Sequence, residues 1–458
     1  MQTAAGIRVE PADPLRGALR PPPDKSISHR AAIFAAMAEG EVLVKGYLDA
    51  ADTRSTLAAV AALGAEVAEL GQSDAPGGID LRIAGVGLRG PAARAPSSIA
   101  IDVGNAGTLL RILPGWLAGQ DGGAWTLDGD ESIRRRPVDR IVTPLALMGA
   151  DVSCRDGRLP PLDVRGSRLE GIEYRLPVAS AQVKSCLLVA GLLAGGETSV
   201  VEPGPSRDHT ERMLAAAGVE VVLEDAGTSL AIRGRLPARR ITVRPPERID
   251  PGDLLVPADL SSAAFWIVAG LLVRGSRVRL DGVGINPTRV GLLGILSRMG
   301  ALVEVVETDA RGGEPRATIT ASHGPLEATR VGGGEVPLAI DELPLVALVG
   351  CFADGETVVS GAEELRHKES DRITAVVDGL GALGGEIEAT DDGFAVRGTG
   401  GIRGGTLDAA GDHRLAMLGA IAGLASREGV EIRGFDAAAV SYPGFERDLR
   451  TLTGGSSR

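Results

Sequence analysis

The stretch VAGLLAGGETSVVEPG, residues 189–204, runs from an apolar Ala/Leu segment through a glycine pair and a β-branched segment to a Pro-Gly turn. Read locally, the first part is a buried helix, glycine is its C-terminal stop and TSVV is a strand. The phrase returns as AAMAEGEVLVKG (35–46), LAGQDGGAWTLDG (117–129), VAGLLVRGSRVRLDG (268–282), ALVGCFADGETVVSG (347–361) and IAGLASREGVEIRG (421–434). Between copies runs a second phrase, a helix ending near glycine and then a strand. Its clearest forms are LAAVAALGAEV (57–67), PLALMGADV (144–152), MLAAAGVEVVL (213–223), LLGILSRMGALVEVV (292–306) and VVDGLGALGGEIEA (376–389). Successive copies start roughly 75–80 residues apart, too far for ankyrin or TPR units. Each unit holds about two helices and several strands, enough for a small α/β layer but not for a core of its own. Helix, glycine, strand is also general α/β grammar; six recurrences in order favour internal duplication.

Three copies precede residue 245 and three follow it. The stretch RPPERIDPGDLLVPAD (244–259) is rich in proline and turn residues, as a linker should be, and RPPPD (20–24) is a second such point. If the chain crosses between domains at both, residues 1–22 join 248–458 in one domain and 23–247 form the other. Hinge points then fall near 20–24 and 244–252, and a two-stranded hinge permits closure over a ligand.

The 458 residues suit two or more domains. Aromatic residues make up only 3%, so the core must be built from Ala, Val, Leu and Ile. A net charge of −12 argues against nucleic-acid or acidic-membrane partners, though not against small anions where cations are concentrated. Cys154, Cys186 and Cys351 show no paired spacing, which disfavours a disulfide framework or a zinc site and fits a reducing cytoplasm. The first residues lack a basic-then-apolar signal region. The apolar run AAFWIVAGLLV (263–273) is too short for a bilayer and reads as a buried helix.

Several short segments concentrate polar chemistry. In PDKSISHR (23–30), Ser26 or Ser28 can cap a helix, and Lys25, Ser26 and Arg30 can meet one phosphate or carboxylate; the plainer reading is a capped helix with solvated charge. DVGNAGTLLRIL (102–113) is a small-residue loop running into a helix capped by Thr108, where Gly107 lets backbone approach a ligand; a tight strand-to-helix turn explains it equally well. ESIRRRPVDR (131–140) sets three arginines before Pro137, either an anion clamp or a solvated loop. Ser180, Ala181 and Gln182 open an otherwise apolar helix, and Arg207 and His209 precede another, with Ser206 and Asp208 as possible caps. Asp341 and Glu342 border a buried helix, as a general base or as caps. In EELRHKESDRI (363–373), Lys368 and Arg372 stand at i, i+4 and are expected on one helix face. GDHRLAM (411–417) brings His413 and Arg414 to a helix start. Arginines number 44 and lysines four (Lys25, Lys45, Lys184, Lys368). Two of those lysines fall in these segments, and lysine, unlike arginine, can give up a proton.

Taken together, PDKSISHR, GNAGT, RRRPVDR, SAQVKS, SRDHTE, DELP, HKESDR and DHRLAM closely resemble, in order over residues 23–417, the 5-enolpyruvylshikimate-3-phosphate (EPSP) synthase family. SAQVKS and SRDHTE are similar to its second class. The resemblance implies an α/β enolpyruvyl transferase fold of two domains, each of three βαβαββ-type repeats with helices inside and sheets outside. It implies transfer of the enolpyruvyl group of phosphoenolpyruvate to the 5-hydroxyl of shikimate 3-phosphate, without metal or organic cofactor. Lys25, Ser26, Arg30, Ser180, Ala181, Gln182, Arg207, Asp341 and Lys368 resemble the shikimate 3-phosphate contacts. Lys25, Gly107, Arg136, Gln182, Arg372 and Arg414 resemble the phosphoenolpyruvate contacts. Asp341 is the expected base towards the 5-hydroxyl, and Glu369 or Lys25 the acid towards the methylene carbon. A cytoplasmic monomer inhibited by glyphosate is expected, since Gly107 places no methyl group in the phosphoenolpyruvate site.

Some family members carry a lysine just before a Ser/Thr–aromatic–Pro step near the C-terminus. Here that region reads AAAVSYPGF (437–445), so the contact is absent or replaced. The nearest alternative is the related transferase acting on UDP-N-acetylglucosamine, which generally uses a loop cysteine; Cys154 keeps that possibility alive, but the motifs fit the shikimate enzyme better. A non-catalytic phosphometabolite-binding relative should have lost Asp341, Glu369 or Lys25, and all three are present. An RNA-terminal-phosphate cyclase is disfavoured by the acidic charge and few aromatics.

Overall fold

In the computed structural model the described residues are 6–90, 98–231, 234–368 and 370–454. They form two compact units. The first comprises Pro23–Pro257 with Ala310–Glu314; the second comprises Met1–Pro22, Ala258–Asp309 and Pro315–Arg458. The crossing out of the first unit falls after Pro257, later than the 247 suggested by the proline-rich stretch.

The repeat is plainest in the middle of the first unit. A strand (Ile99–Asp102) leads into helix Gly107–Ala118, a second strand (Ala124–Asp128), helix Asp139–Leu147, and a hairpin of Asp151–Arg155 with Leu159–Arg165. The first strand pairs parallel with the second, the second antiparallel with the fourth, and the fourth antiparallel with the third. The next repeat copies this order with Glu173–Arg175, Thr198–Glu202, Val221–Ala231 and Gly234–Val243, around helices Ala181–Gly191 and His209–Ala216.

The opening repeats of both units lack a first strand of their own and take it from elsewhere in the sequence. Leu254–Leu255 pairs parallel with Val44–Lys45 in the sheet of Glu39–Leu48. In the second unit Arg16–Leu19 pairs parallel with Arg277–Leu280. That explains the late boundary: residues 254–255 still complete a sheet of the first unit. The last repeat, Gly405–Asp408, helix His413–Ala425 and Val430–Arg433, is closed by Ile7–Val9 running antiparallel to its second strand.

The helices divide into two kinds. The first helix of each repeat is buried almost all round: every residue of Leu260–Leu272 and Leu343–Gly350 is buried, as are Ile27–Met37 of Lys25–Met37 and Val183–Gly191 of Ala181–Gly191. Apolar residues on all faces are what such a position demands. The second helices bury a stripe, as with Ile141, Pro144 and Leu145 of Asp139–Leu147 or Leu292, Ile295 and Leu296 of Gly291–Arg298. Small residues set how closely the inner helices approach. A Cβ built on Gly115 would lie 2.2 Å from the carbonyl oxygen of Cys186, so helices Gly107–Ala118 and Ala181–Gly191 meet backbone against backbone. Five of the twelve aromatics, Phe265, Trp266, Phe435, Tyr442 and Phe445, cluster in the second unit, where Trp266 stacks on Phe445 at 4.9 Å and its indole N–H donates to the Tyr442 hydroxyl at 2.9 Å. Tyr442 belongs to the lysine-free AAAVSYPGF stretch, whose place is thus partly in the core. No helix among the described residues is long and apolar enough to cross a membrane.

Candidate active site

Label the first-unit helices α1 (Lys25–Met37), α2 (Ala51–Ala62), α3 (Gly107–Ala118), α4 (Asp139–Leu147), α5 (Ala181–Gly191) and α6 (His209–Ala216). Asp24, not Ser26 or Ser28, caps α1; its carboxylate accepts from the Ile27 N–H at 2.9 Å. Ser28 is drawn inward, donating to the Asp24 carbonyl and accepting from the Leu48 N–H. That frees Lys25 in the first turn, where its Nζ stands 3.0 Å from Asp52 Oδ2 on α2. Ser26 is part-buried beside it. His29, in the same motif, is a core residue: 1% exposed, with Nδ1 2.6 Å from Thr56 Oγ1. Burial above all, with the Lys25 charge, lowers its pKa to about 3. Arg30 is also buried and bonds to Ser26, Ser185 and Thr210.

The second wall is the start of α3. Thr108 does not cap it; the N-cap position is Ala106, which offers no side-chain acceptor, and no acidic residue lies in the first turn. Guanidiniums close in instead. A Cβ on Gly107 would lie 3.0 Å from Arg136 Nη1 and 3.2 Å from Arg111 Nη1. Arg136 donates to Asn105 Oδ1 at 3.2 Å, while Arg134 and Arg135 are occupied by Asp128 and Glu131. Arg111 donates to Gln182 Oε1 at 2.9 Å and to the carbonyls of Gly107 and Pro137. Gln182 Nε2 in turn donates to Thr108 Oγ1 at 3.3 Å. Burial, then repulsion from Arg140 and Arg136, pulls the Arg111 pKa down to about 10. A half-buried cation hydrogen-bonded to neutral oxygens beside two further arginines is a setting that favours a bound anion. Ser180 caps α5 through a long bond from the Val183 N–H, Ala181 is its first residue, and Arg207 is part-buried on the loop before α6. Asp208 bonds Arg212 rather than capping.

The second unit holds its own cluster around Asp341, at the start of helix Leu343–Gly350. Three cations surround this carboxylate: Lys368 Nζ at 3.9 Å, Arg372 Nη1 at 3.4 Å and Arg414 Nη2 at 3.7 Å. Arg414 also donates to the Asp341 carbonyl at 3.0 Å. Lys368 and Arg372 do not share a helix face. Asp371 caps a helix that begins at Arg372, accepting from the Thr374 N–H, so Lys368 lies outside it after a short 3₁₀ turn. They converge on Asp341 by loop geometry. Arg372, 1% exposed, is gripped by Asp412 at 2.8 and 3.4 Å. Those bonds and charges, outweighing burial, hold the Asp412 carboxyl below its ordinary value. Asp412 also caps the helix of His413 and Arg414, so one residue orients two cations. Glu342 is buried, accepts from Ser261 Oγ and lies 3.7 Å from Arg414 Nη1. Glu369 lies outside the described residues.

Arg111, Asp52 and Asp412 went unmarked in the sequence. Arg111 had a signal, being four residues after Gly107 on the same helix face; Asp52 and Asp412 looked like ordinary helix-start acids. Cys154 sits on the strand Asp151–Arg155, and burial raises its thiol pKa, the opposite of what a nucleophile needs.

A solved structure described as the enolpyruvyl transferase NikO from Streptomyces tendae superposes with a TM-score of 0.73 at 20% identity over 98% of both chains, and establishes the fold class. The chain matches the sequence model for EPSP synthase (3-phosphoshikimate 1-carboxyvinyltransferase) over residues 9–449. It is 44% identical to the 3-phosphoshikimate 1-carboxyvinyltransferase of a Synechococcus strain, over 98% of this chain and 99% of that one. A Thermus thermophilus protein of the same name is 46% identical with the same coverage. The EPSP synthase structure from Acinetobacter baumannii has a TM-score of 0.85 at 39% identity over 98% of both chains. The chain belongs to the EPSP synthase family.

Proposed function

We propose that this chain transfers the enolpyruvyl group of phosphoenolpyruvate to the 5-hydroxyl of shikimate 3-phosphate, with the two clusters as its binding and catalytic groups. The observation that carries the reading is Arg111, a half-buried cation with neutral oxygen partners beside Arg136 and the start of α3. Phosphoenolpyruvate offers a phosphate and a carboxylate to this wall and to Lys25, Gln182, Arg372 and Arg414. Shikimate 3-phosphate falls to Lys25, Ser26, Arg30, Ser180, Ala181, Gln182, Arg207, Asp341 and Lys368.

Asp341 accepts the proton of the 5-hydroxyl as that oxygen attacks C2 of phosphoenolpyruvate. Lys25 or Glu369 delivers a proton to the methylene carbon, giving a tetrahedral intermediate. Phosphate leaves as the methyl group loses a proton again, and the cations stabilise the charge that develops on it. The chain acts as a cytoplasmic monomer, and glyphosate inhibits it.

The test is release of inorganic phosphate from phosphoenolpyruvate with shikimate 3-phosphate or with UDP-N-acetylglucosamine as acceptor. Release with the first alone is expected; release with the second alone overturns the reading. Asp341→Ala should bind shikimate 3-phosphate while turnover falls by about 10²–10⁴-fold, the usual worth of a general base. Near-parental turnover would remove Asp341 from that role.

A further inference from the structure

Arg30 is 2% exposed, and its guanidinium rests on a hydroxyl pair rather than a carboxylate. Nε donates to Thr210 Oγ1 at 2.8 Å, Nη2 to Ser185 Oγ at 3.0 Å, and Nη1 to the Ser26 carbonyl at 2.9 Å. The two hydroxyls are 2.6 Å apart and hydrogen-bonded to each other, and both residues are fully buried. These bonds engage one hydrogen on each nitrogen, and a guanidinium carries five.

Neutral acceptors matter here. A carboxylate would grip Arg30 more firmly, but it would also cancel the charge an anionic ligand needs. Carboxylates are near, namely Asp24, Glu314 and, with the strongest effect, Glu211, the residue after Thr210. Glu211 is held elsewhere, its Oε1 2.7 Å from Lys184 Nζ. Lys184, the residue before Ser185, also binds Glu202 at 2.9 Å, and Ser206 donates to that same carboxylate. Two adjacent cross-links, Lys184–Glu211 and Ser185–Thr210, therefore fix α5 against α6. The first takes the negative charge and the second presents uncharged oxygens to Arg30. Burial opposes the charge on Lys184, but the attraction of Glu211 and Glu202 lifts its pKa above the ordinary lysine value.

We propose that Thr210 and Ser185 are positioning residues for the reaction: their paired hydroxyls hold the Arg30 guanidinium in one orientation with its charge left for shikimate 3-phosphate. This rests on the shikimate 3-phosphate reading of Arg30, and the experiment separates the two. KM for each substrate and kcat are measured for the parent, Thr210→Val, Thr210→Ser, Ser185→Ala and Arg30→Lys, with thermal unfolding as a check on folding.

Thr210→Val keeps the shape and deletes the acceptor. It should raise KM for shikimate 3-phosphate about tenfold, the usual effect of losing a hydrogen bond to a charged group. KM for phosphoenolpyruvate and kcat should stay within about twofold, and Thr210→Ser should restore the parental value. Ser185→Ala should shift the same KM in the same direction, and it carries the test if Thr210→Val does not fold. A role confined to stability would lower the unfolding temperature and leave both KM values alone. Unchanged KM for shikimate 3-phosphate in the folded variants, or an equal rise for both substrates, overturns the proposal. If Arg30→Lys also leaves that KM unchanged, the reading of Arg30 itself has failed.

Discussion

His29 shows how a functional-looking residue can be a core residue. It lies in the motif that also carries Lys25 and Arg30, yet it is packed between α1, which carries it, and Thr56 of α2. Its folded pKa of about 3 lies below the ordinary 6.5. Above the ordinary value both states are neutral. As pH falls from 6.5 towards 3, only the unfolded chain takes the proton, so stability is lost across that window. The slope approaches ~1.4 kcal/mol per pH unit at its steepest. Urea midpoints at pH 7, 6 and 5 should decline, and less steeply in His29→Gln. An NMR titration placing His29 near 6.5 would sink the idea. Gly107 is the converse, a residue whose lack of a side chain is the point. A methyl there would press on the ends of the Arg111 and Arg136 side chains, both within 3.0–3.2 Å of its Cβ position. Gly107→Ala should fold normally, raise KM for phosphoenolpyruvate several-fold and raise the glyphosate concentration for half-inhibition by more. Equal inhibition of parent and variant would contradict this. Both residues were visible in the sequence, but the burial of His29 was not. Burial of His29 depends on α2, which no local pattern connects to residue 29.

At the scale of elements, glycine after each helix and the alternation of two phrases were enough to order helices and strands, because both signals are local. Capping was harder. Ser26, Ser28 and Thr108 were plausible caps by residue type, but the acceptor at α1 is Asp24 and α3 has none. The four-residue spacing of Lys368 and Arg372 misled for the same reason: a cap at Asp371 starts the helix between them. The contact of α3 with α5 was not legible, since nothing in GTLLRILPGWLA says which helix lies opposite Gly115. A Cβ there would fall 2.2 Å from the Cys186 carbonyl oxygen and 3.2 Å from the Ala190 nitrogen, both backbone and unable to move alone. Gly115→Ala should therefore cost ~1–3 kcal/mol or more, as overpacked cores do. A urea midpoint equal to the parent's would show that the helices can separate without penalty.

Across the whole molecule, the six-fold phrase gave the repeat count, and the chain changes units after Pro22 and Pro257. What the phrase could not show is that each unit's opening sheet is completed by a strand from another part of the chain. Leu254–Leu255 closes a sheet of the first unit and Arg16–Leu19 one of the second. Residues 23–257 thus contain every strand of their own sheets, whereas 258–458 lack two. Expressed alone, 23–257 should unfold in urea with one cooperative transition. The 258–458 fragment should be poorly ordered until a peptide of residues 6–22 is added. A cooperative transition for 258–458 without the peptide would make those strands dispensable.

The borrowed strands also impose an order on biosynthesis. Ile7–Val9 and Arg16–Leu19 leave the ribosome long before Val430–Arg433 and Arg277–Leu280, with which they pair. At about 5–20 residues per second, Arg16–Leu19 waits on the order of tens of seconds for its partner strand to be translated. Residues 23–257 can fold meanwhile, leaving the earliest-made strands as an unpaired tail. They are among the last to be seated, and until then they are open to proteases and chaperones.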